Sequence, residues 1–218
     1  MTFPVPLDGV AFDLDGVLTD TARAHFRAWK RLADTIGVPF DEQANEALKG
    51  VDRMGSLALI LGDRPGFESA ARAELAARKN DWYLAEIAHF GPADLFPGAR
   101  DAILQCRSAG LSVALASASR NAPLLLERME IEGLFDMVVD PAGVAHGKPA
   151  PDIFLAAAAA VGVPPARMLG VEDAAAGIAA IRAAGMPALG VGNAGLLSGA
   201  DRVIGTIAEF DLATYAAR

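Results

Sequence analysis

Residues 10–20 read VAFDLDGVLTD, a short apolar run that leads directly into two aspartates two positions apart. The run from Val10 to Asp13 predicts a buried β-strand. Gly16 predicts a tight turn after it, because glycine tolerates the positive φ that such turns often require. Asp13 and Asp15 would then lie at the carboxyl end of a strand, the edge at which open α/β sheets bind ligands. Two acids this close repel each other unless a cation lies between them or one keeps its proton. The stretch therefore predicts metal binding, acid/base catalysis or both.

The chain after this stretch divides into a helical block and an alternating block. From residue 20 to about residue 89 only helical patterns occur, which predicts a helical insertion after the first strand. Beyond it, short apolar strands alternate with helices, and this alternation predicts an α/β fold with a parallel, doubly wound sheet. We therefore expect a core domain of residues 1–18 and 93–218 and a helical cap domain of residues 19–92.

The composition excludes several classes of protein. Of 218 residues 53% are hydrophobic, and the mean hydropathy is +0.31, which excludes a disordered chain. No apolar run approaches the ~20 residues needed to cross a bilayer. The net charge of −8 disfavours nucleic acids and anionic membranes as partners. A single cysteine, Cys106, and the lack of a signal-like start in residues 1–7 predict a cytoplasmic protein.

Polar residues follow four of the predicted strands at the points where the strands end. Because parallel strands end at one edge of a sheet, these residues should meet there. Each one has an ordinary structural explanation, such as a helix cap or a solvated lysine. Their joint appearance favours a functional site. The residues are Asp13 and Asp15, Ser117 to Asn121, Lys148, and Glu172 with Asp173.

The same residues carry a resemblance to a known family. DLDGVLTD, the Ser117 strand end, Lys148 and the Glu172–Asp173 pair resemble the four motifs of the haloacid dehalogenase superfamily of phosphotransferases and phosphatases. Six further motifs are similar to the phosphoglucomutase branch of that superfamily: HFRAWK, LKGVDR, RKN, ALASASRN, LLERM and KPAPDIF. The resemblance implies a haloacid dehalogenase-like core and an isomerase. Such an enzyme interconverts β-D-glucose 1-phosphate and glucose 6-phosphate through β-glucose 1,6-bisphosphate, its activator and intermediate, and through an aspartyl-phosphate.

The resemblance also implies the catalytic and metal-binding residues. Asp13 would be the nucleophile that takes up the phosphoryl group, and Asp15 the general acid and base at the sugar oxygen. One Mg²⁺ per subunit would be held by oxygen ligands from Asp13, the backbone carbonyl of Asp15, Glu172 and Asp173.

The resemblance further implies that the protein binds two phosphate groups of its substrate at once. Arg53, with Ser119, Arg120 and Asn121, would hold the phosphate that is not being transferred. Arg120 stands where the family is expected to have a lysine, which keeps the charge but alters the geometry. The phosphoryl group in transfer would be oriented by Lys148, Ser117 and the N–H of Ala118.

The helical cap would contribute the remaining substrate contacts. By the resemblance, His25 and Lys79 belong to a switch that positions Asp15 when substrate closes the cap. On motif grounds alone, both have an ordinary alternative, a polar residue at a helix start and a surface lysine. Trp29 lies on the apolar face of a helix and is predicted in the core, close to the substrate. The residues expected to line the sugar site are Gly50, Val51 and Ser56.

Three other functions are open on the residues. A Mg²⁺-dependent sugar-phosphate phosphatase of the same superfamily needs the same core motifs, and only the residues that grip a second phosphate favour a mutase. Gly190, Gly192 and Gly195 match the G-x-G-x-x-G pattern of dinucleotide-binding proteins, but no helix is predicted after them. A catalytically inactive binding protein conflicts with the complete set of acids and bases. We expect a monomer that acts on small-molecule sugar phosphates and binds neither nucleic acid nor membranes.

Overall fold

Six strands form one sheet in the computed structural model, which describes residues 6–215. All neighbouring strands pair in parallel. The strands are β1 Gly9–Phe12, β2 Ser112–Leu115, β3 Met137–Val138, β4 Met168–Glu172, β5 Ala188–Val191 and β6 Arg202–Ile204. Their order across the sheet is β3-β2-β1-β4-β5-β6, so the order reverses between β1 and β4. A crevice opens at such a reversal, above the carboxyl ends of the strands.

In the described part of the chain, eight α-helices surround this sheet or follow its first strand. They are α1 Ala22–Thr35, α2 Glu42–Glu46, α3 Arg53–Leu61, α4 Ser69–Glu86, α5 Ala99–Ser108, α6 Ala122–Arg128, α7 Asp152–Ala160 and α8 Ala175–Ala183. Helices α1 to α5 all lie between β1 and β2 in the chain, and α6, α7 and α8 each separate two later strands. The predicted fold class, a doubly wound parallel sheet with a helical insertion after the first strand, is confirmed.

The helical insertion has a hydrophobic core of its own, built around Trp29, Leu32, Leu57 and Leu61. The sheet is instead covered on its two faces by two larger clusters. Ala24, Ala28, Tyr83 and Ile87 of the insertion belong to one of the sheet clusters, and the division into a core and a cap domain stays a prediction. The predicted core domain includes residues 1–5 and 216–218, which lie outside the described residues, as does most of the stretch 1–7 that was searched for a signal sequence.

Two chain segments join the helical insertion to the sheet, and they are bonded to each other. The N–H of Phe96 donates to the carbonyl of Leu18 at 2.9 Å, and the hydroxyl of Thr19 donates to the carbonyl of Asp94 at 2.7 Å. Thr19 itself is fully buried. This double connection holds α1 to α4 over the carboxyl end of β1.

The first glycine of the dinucleotide-like pattern has a packing explanation. Gly190 lies in β5, where a Cβ atom would come within 3.0 Å of Leu197. After β5 the described chain continues in turns to β6 and forms no α-helix. The helix that would receive a pyrophosphate is therefore missing from the described residues. None of the helices there combines the length and apolar character that a membrane crossing requires.

Candidate active site

Asp13 follows β1 directly, at the middle of the sheet edge. Its N–H donates to the carbonyl of Val171 in β4 at 2.9 Å, which carries the pairing of the two strands one residue beyond β1. The chain then turns at Gly16, whose φ is +81°. A Cβ atom on Gly16 would lie 2.0 Å from a carboxylate oxygen of Asp173. Glycine is therefore required for two reasons, the backbone conformation and the close approach of an acid from the neighbouring strand end.

Lys148 lies behind Asp13 and pairs with two carboxylates. Its Nζ is 2.6 Å from Oδ1 of Asp13 and 2.7 Å from Oε2 of Glu172, and the Lys148 side chain has no exposed surface. Burial alone would lower the pKa of Lys148, but the charges of Asp13 and Glu172 outweigh it and raise that pKa above its ordinary value. Lys148 is thus a permanent cation next to the predicted nucleophile.

Three carboxylates form an acidic cluster that could hold a metal ion. Ligand oxygens of Asp13, Glu172 and Asp173 lie within 4.8 Å of one another. Burial, reinforced by the charges of Glu172 and Asp13, raises the pKa of Asp173. Burial also raises the pKa of Asp13, against the opposing charge of Lys148. One ammonium does not balance three acids, and hard oxygen donors suit Mg²⁺, so the residues present fit this ion. The cluster does not include the carboxylate of Asp15, whose predicted metal contact is its backbone carbonyl.

Asp15 has the properties of a proton-transfer group. Burial, reinforced by the charge of Asp13, raises the pKa of Asp15 to about 6. The hydroxyl of Thr21 donates a hydrogen bond to Oδ1 of Asp15. A carboxyl group that titrates near neutral pH can both give and take a proton during turnover.

These residues open onto a cavity of about 350 Å³ between the sheet edge and the helical insertion. This volume is in the range of small-molecule sites. Of the residues predicted for the site, only Lys148 and Glu172 are not part of the cavity wall, because they lie behind Asp13. The predicted residues that line it are Asp13, Asp15, His25, Trp29, Gly50, Val51, Arg53, Ser56, Lys79, Ser117, Ala118, Ser119, Arg120, Asn121 and Asp173.

A buried lysine and a histidine meet on the cap side of the cavity. Lys79 is 2% exposed, and its Nζ lies 2.8 Å from Nδ1 of His25. The same ammonium lies 4.6 Å above the ring of Trp29 and 4.7 Å above that of Tyr83. Burial, with the charge of Arg53, lowers the pKa of Lys79 to about 7. Burial lowers the pKa of His25 as well, so the neutral ring accepts the hydrogen bond from Lys79.

Two guanidinium groups form a second cationic region of the cavity. Arg53 is the first residue of α3, whose N-terminus is capped by the carboxylate of Asp52. Burial and the charge of Arg120 lower the pKa of Arg53, and both residues line the cavity. Within residues 6–215, neither forms an ion pair with a carboxylate. Two unpaired cations in one cavity are suited to an anion with several oxygens.

Polar and apolar contacts connect the sheet edge to the helical insertion beside the cavity. The side chain of Asn121 donates to Oδ1 of Asn80 in α4 at 2.9 Å. Gly50 has a φ of +73°, and a Cβ atom there would lie 3.4 Å from Ala174, just after β4. Trp29 is both 2% exposed within the cap core and part of the cavity wall.

Sequence reasoning missed Thr21 as a site residue, because its position in the sequence indicates a different role. A threonine directly before a helix predicts a capping residue. Thr21 does precede α1, but its side chain makes no capping bond and binds Asp15 instead. Asn45 and Lys49 also line the cavity, and nothing in their local sequence indicated it.

Comparison with known proteins identifies relatives among phosphoglucomutases and sugar phosphatases. The family model of the haloacid dehalogenase-like hydrolases matches residues 7–185. The β-phosphoglucomutase of Bacillus subtilis is 46% identical over 209 residues, which cover 94% of this chain and 92% of the relative. A phosphorylated carbohydrates phosphatase of Thermotoga maritima is 29% identical over 185 residues, with 83% and 82% covered. The crystal structure of a β-phosphoglucomutase from Clostridium difficile superposes with a TM-score of 0.93 at 36% identity, covering 95% of this chain and 94% of that one.

Proposed function

Because the chain belongs to the haloacid dehalogenase-like hydrolase family, we propose that it is an isomerase that interconverts β-D-glucose 1-phosphate and glucose 6-phosphate. The reaction passes through β-glucose 1,6-bisphosphate, which is both intermediate and activator, and through a phosphorylated Asp13. The high identity to a β-phosphoglucomutase along nearly the whole chain supports this activity.

The observation that carries the proposal is the pair of unpaired guanidinium groups, Arg53 and Arg120, in the same cavity as Asp13. A phosphatase needs to hold only the phosphate that it removes. A mutase must hold a second phosphate while the first is transferred, because its intermediate carries both. Lys148 supplies the charge for the first phosphate, and the guanidinium pair supplies it for the second.

Asp13 and Asp15 share the chemistry of transfer. A carboxylate oxygen of Asp13 attacks phosphorus in the bisphosphate, and the bond from phosphorus to the sugar oxygen breaks. Asp15 gives its proton to that oxygen. In the reverse sense, a sugar hydroxyl attacks the aspartyl-phosphate, and Asp15 takes the hydroxyl proton as Asp13 leaves. Lys148, Ser117 and the N–H of Ala118 orient the phosphoryl group throughout, because phosphoryl transfer depends mainly on positioning and charge stabilisation.

Mg²⁺ is the proposed cofactor. Asp13, the backbone carbonyl of Asp15, Glu172 and Asp173 would hold it. When bound, it supplies positive charge that offsets the charge on the phosphoryl group in transfer. Its removal by a chelator should therefore stop turnover on sugar phosphates, and added Mg²⁺ should restore it.

The helical insertion makes the remaining proposed contacts. Residues 19–92 act as the cap over a core of residues 1–18 and 93–218, and Gly50, Val51, Ser56 and Trp29 border the sugar. His25 and Lys79 adjust the position of Asp15 as the cap closes. Closure excludes water, which would otherwise hydrolyse the aspartyl-phosphate.

The test is a comparison of two rates on β-glucose 1-phosphate, with Mg²⁺ and a trace of the bisphosphate. We expect glucose 6-phosphate to form much faster than free phosphate. Phosphate release that outpaces isomerisation would overturn the mutase and leave a sugar-phosphate phosphatase. Asp13→Asn is the control, because it should form no phosphoenzyme and show neither activity.

A further inference from the structure

Tyr83 carries a buried polar group that the proposed reaction does not use. It lies in α4, and its side chain has no exposed surface. Its hydroxyl is the only buried side-chain nitrogen or oxygen in residues 6–215 without a hydrogen-bond partner. Buried tyrosine hydroxyls usually find a partner, and leaving one unpaired costs free energy. A phenylalanine would fill the same space without that cost, so the presence of the hydroxyl indicates a role beyond packing.

The surroundings of this hydroxyl belong to the candidate site. The Tyr83 ring packs against His25 with centroids 4.1 Å apart, and Lys79 lies over its face at 4.7 Å. The charge of Asp15 adds to the effect of burial and raises the pKa of Tyr83, so the phenol stays protonated and remains a donor. The side chains of Thr21 and Ser119 are close enough to this hydroxyl to lower its pKa, but neither meets the geometry of a hydrogen bond with it.

The hydroxyl groups of Tyr83 and Thr21 have complementary hydrogen-bonding capacities. Thr21 donates its single hydroxyl proton to Asp15, and the lone pairs of its oxygen can still accept a hydrogen bond. Tyr83 holds a hydroxyl proton that has no acceptor. A small shift of α4 toward Thr21 would complete a chain of donors from Tyr83 to Thr21 to Asp15.

We propose that Tyr83 is a positioning residue for Asp15. When substrate binds, its hydroxyl donates to Oγ1 of Thr21 and fixes the rotamer in which Thr21 holds the Asp15 carboxyl at the sugar oxygen. The inference rests on the proposed function only in assigning proton transfer to Asp15. It connects α4 to that carboxyl through Thr21, separately from the contact between His25 and Lys79.

The test variant is Tyr83→Phe, which keeps the ring and its packing. With sugar phosphate, kcat should fall about five- to tenfold, the loss expected for one neutral hydrogen bond made in the transition state, while KM stays unchanged. Phosphorylation of Asp13 by acetyl phosphate should keep its rate, because the acetate leaving group needs no proton from Asp15. An unchanged kcat on sugar phosphate, or an equal loss with both donors, would overturn the proposal.

Two further measurements separate positioning from a structural role. Tyr83→Phe should melt at the same temperature as wild type or higher, because it removes an unpaired buried group; a marked loss of stability would contradict the unpaired state. Tyr215→Phe is the matched control, a buried phenol that packs on Phe210 at 5.6 Å in the core and should leave kcat unchanged.

A double-mutant cycle tests the route through Thr21. Thr21→Val combined with Tyr83→Phe should cost no more than the larger single loss, because both changes break the same chain of donors. Additive losses would overturn the proposed route. If wild type only released phosphate, the mutase proposal would fail. Tyr83 would still be tested by the rate of that release, because a sugar leaving group requires the Asp15 proton in both reactions.

Discussion

Replacing Lys79 by methionine should make the protein more stable and less active, and the gain in stability should depend on pH. Lys79 is 2% exposed, and burial with the charge of Arg53 lowers its pKa from 10.5 to about 7. Below pH 7 the lysine is charged in both the folded and the unfolded state, so the folded state carries the full cost of burying the charge. Between pH 7 and 10.5 the folded state releases the proton first, and the cost declines. Above 10.5 the lysine is neutral in both states and the cost is gone.

The size of the effect follows from the contacts of Lys79. The pKa difference corresponds to about 5 kcal/mol of destabilisation below pH 7. The rings of Trp29 and Tyr83, 4.6 and 4.7 Å away, return about 1 kcal/mol each to the charged form. Methionine also leaves Nδ1 of His25 without its donor, which costs about 1 kcal/mol. We therefore expect Lys79→Met to raise the free energy of unfolding by about 2 kcal/mol at pH 6.

Urea denaturation of wild type and variant at pH 6, 8 and 10.5 measures this difference. The variant's advantage should be largest at pH 6 and absent at pH 10.5, while its mutase rate is reduced at every pH. Lys30→Met is the control, because the Lys30 side chain is 42% exposed on α1 and its loss should change stability by less than about 0.5 kcal/mol. Two results would refute the conclusion that Lys79 is a buried charge that destabilises the fold. One is a Lys79→Met variant less stable than wild type at pH 6, and the other is a stability difference that does not change with pH.

Two other substitutions test the turn at Gly16 beside the acidic cluster and the proposed binding of the second phosphate by Arg120. Gly16→Ala should lower kcat at least about a hundredfold, because the new Cβ atom would lie 2.0 Å from the Asp173 carboxylate and push it out of position. Gly185→Ala is the control: its φ of +75° is similar but the space around it is open, so it should cost stability and leave kcat intact. Equal activity of the two variants in a coupled assay would contradict this. Arg120→Lys should raise KM about threefold at unchanged kcat, because an ammonium cannot bind phosphate with two parallel donors. Arg27→Lys on the exposed face of α1 is the control, and a loss of kcat in Arg120→Lys without a change in KM would argue against phosphate binding there.

Local patterns were sufficient for the architecture and for the centre of the site. The alternation of short apolar runs and helices predicted the parallel sheet, because strands and helices differ in the period of their buried residues. Parallel strands share one carboxyl edge, so residues that follow separate strands had to meet there. That reasoning alone brought Asp13, Lys148, Glu172 and Asp173 together, although 159 positions separate Asp13 from Glu172.

The cap side of the site depended on family resemblance and could not be derived from the residues. Lys79 has no sequence feature that distinguishes it from a surface lysine, and His25 stands among ordinary helical positions. The helical periodicity of α1 and α4 tells which face is apolar, and it does not tell how the two helices cross over the sheet. Their packing angle decides that Lys79 meets His25 rather than solvent.

The stretch from residue 10 to residue 20, with the strand ends that follow it, thus determined the fold class and the acids at its centre, because strand pairing and turn chemistry are local properties of the chain. Only the tertiary structure decided that Thr21 binds Asp15, that Arg53 and Arg120 line one cavity, and that the Tyr83 hydroxyl is buried without a hydrogen-bond partner. Each of these relations joins the helical insertion to the sheet edge. The physical reason is that their geometry depends on how the helices of the insertion pack against the sheet edge, and no local pattern records that orientation.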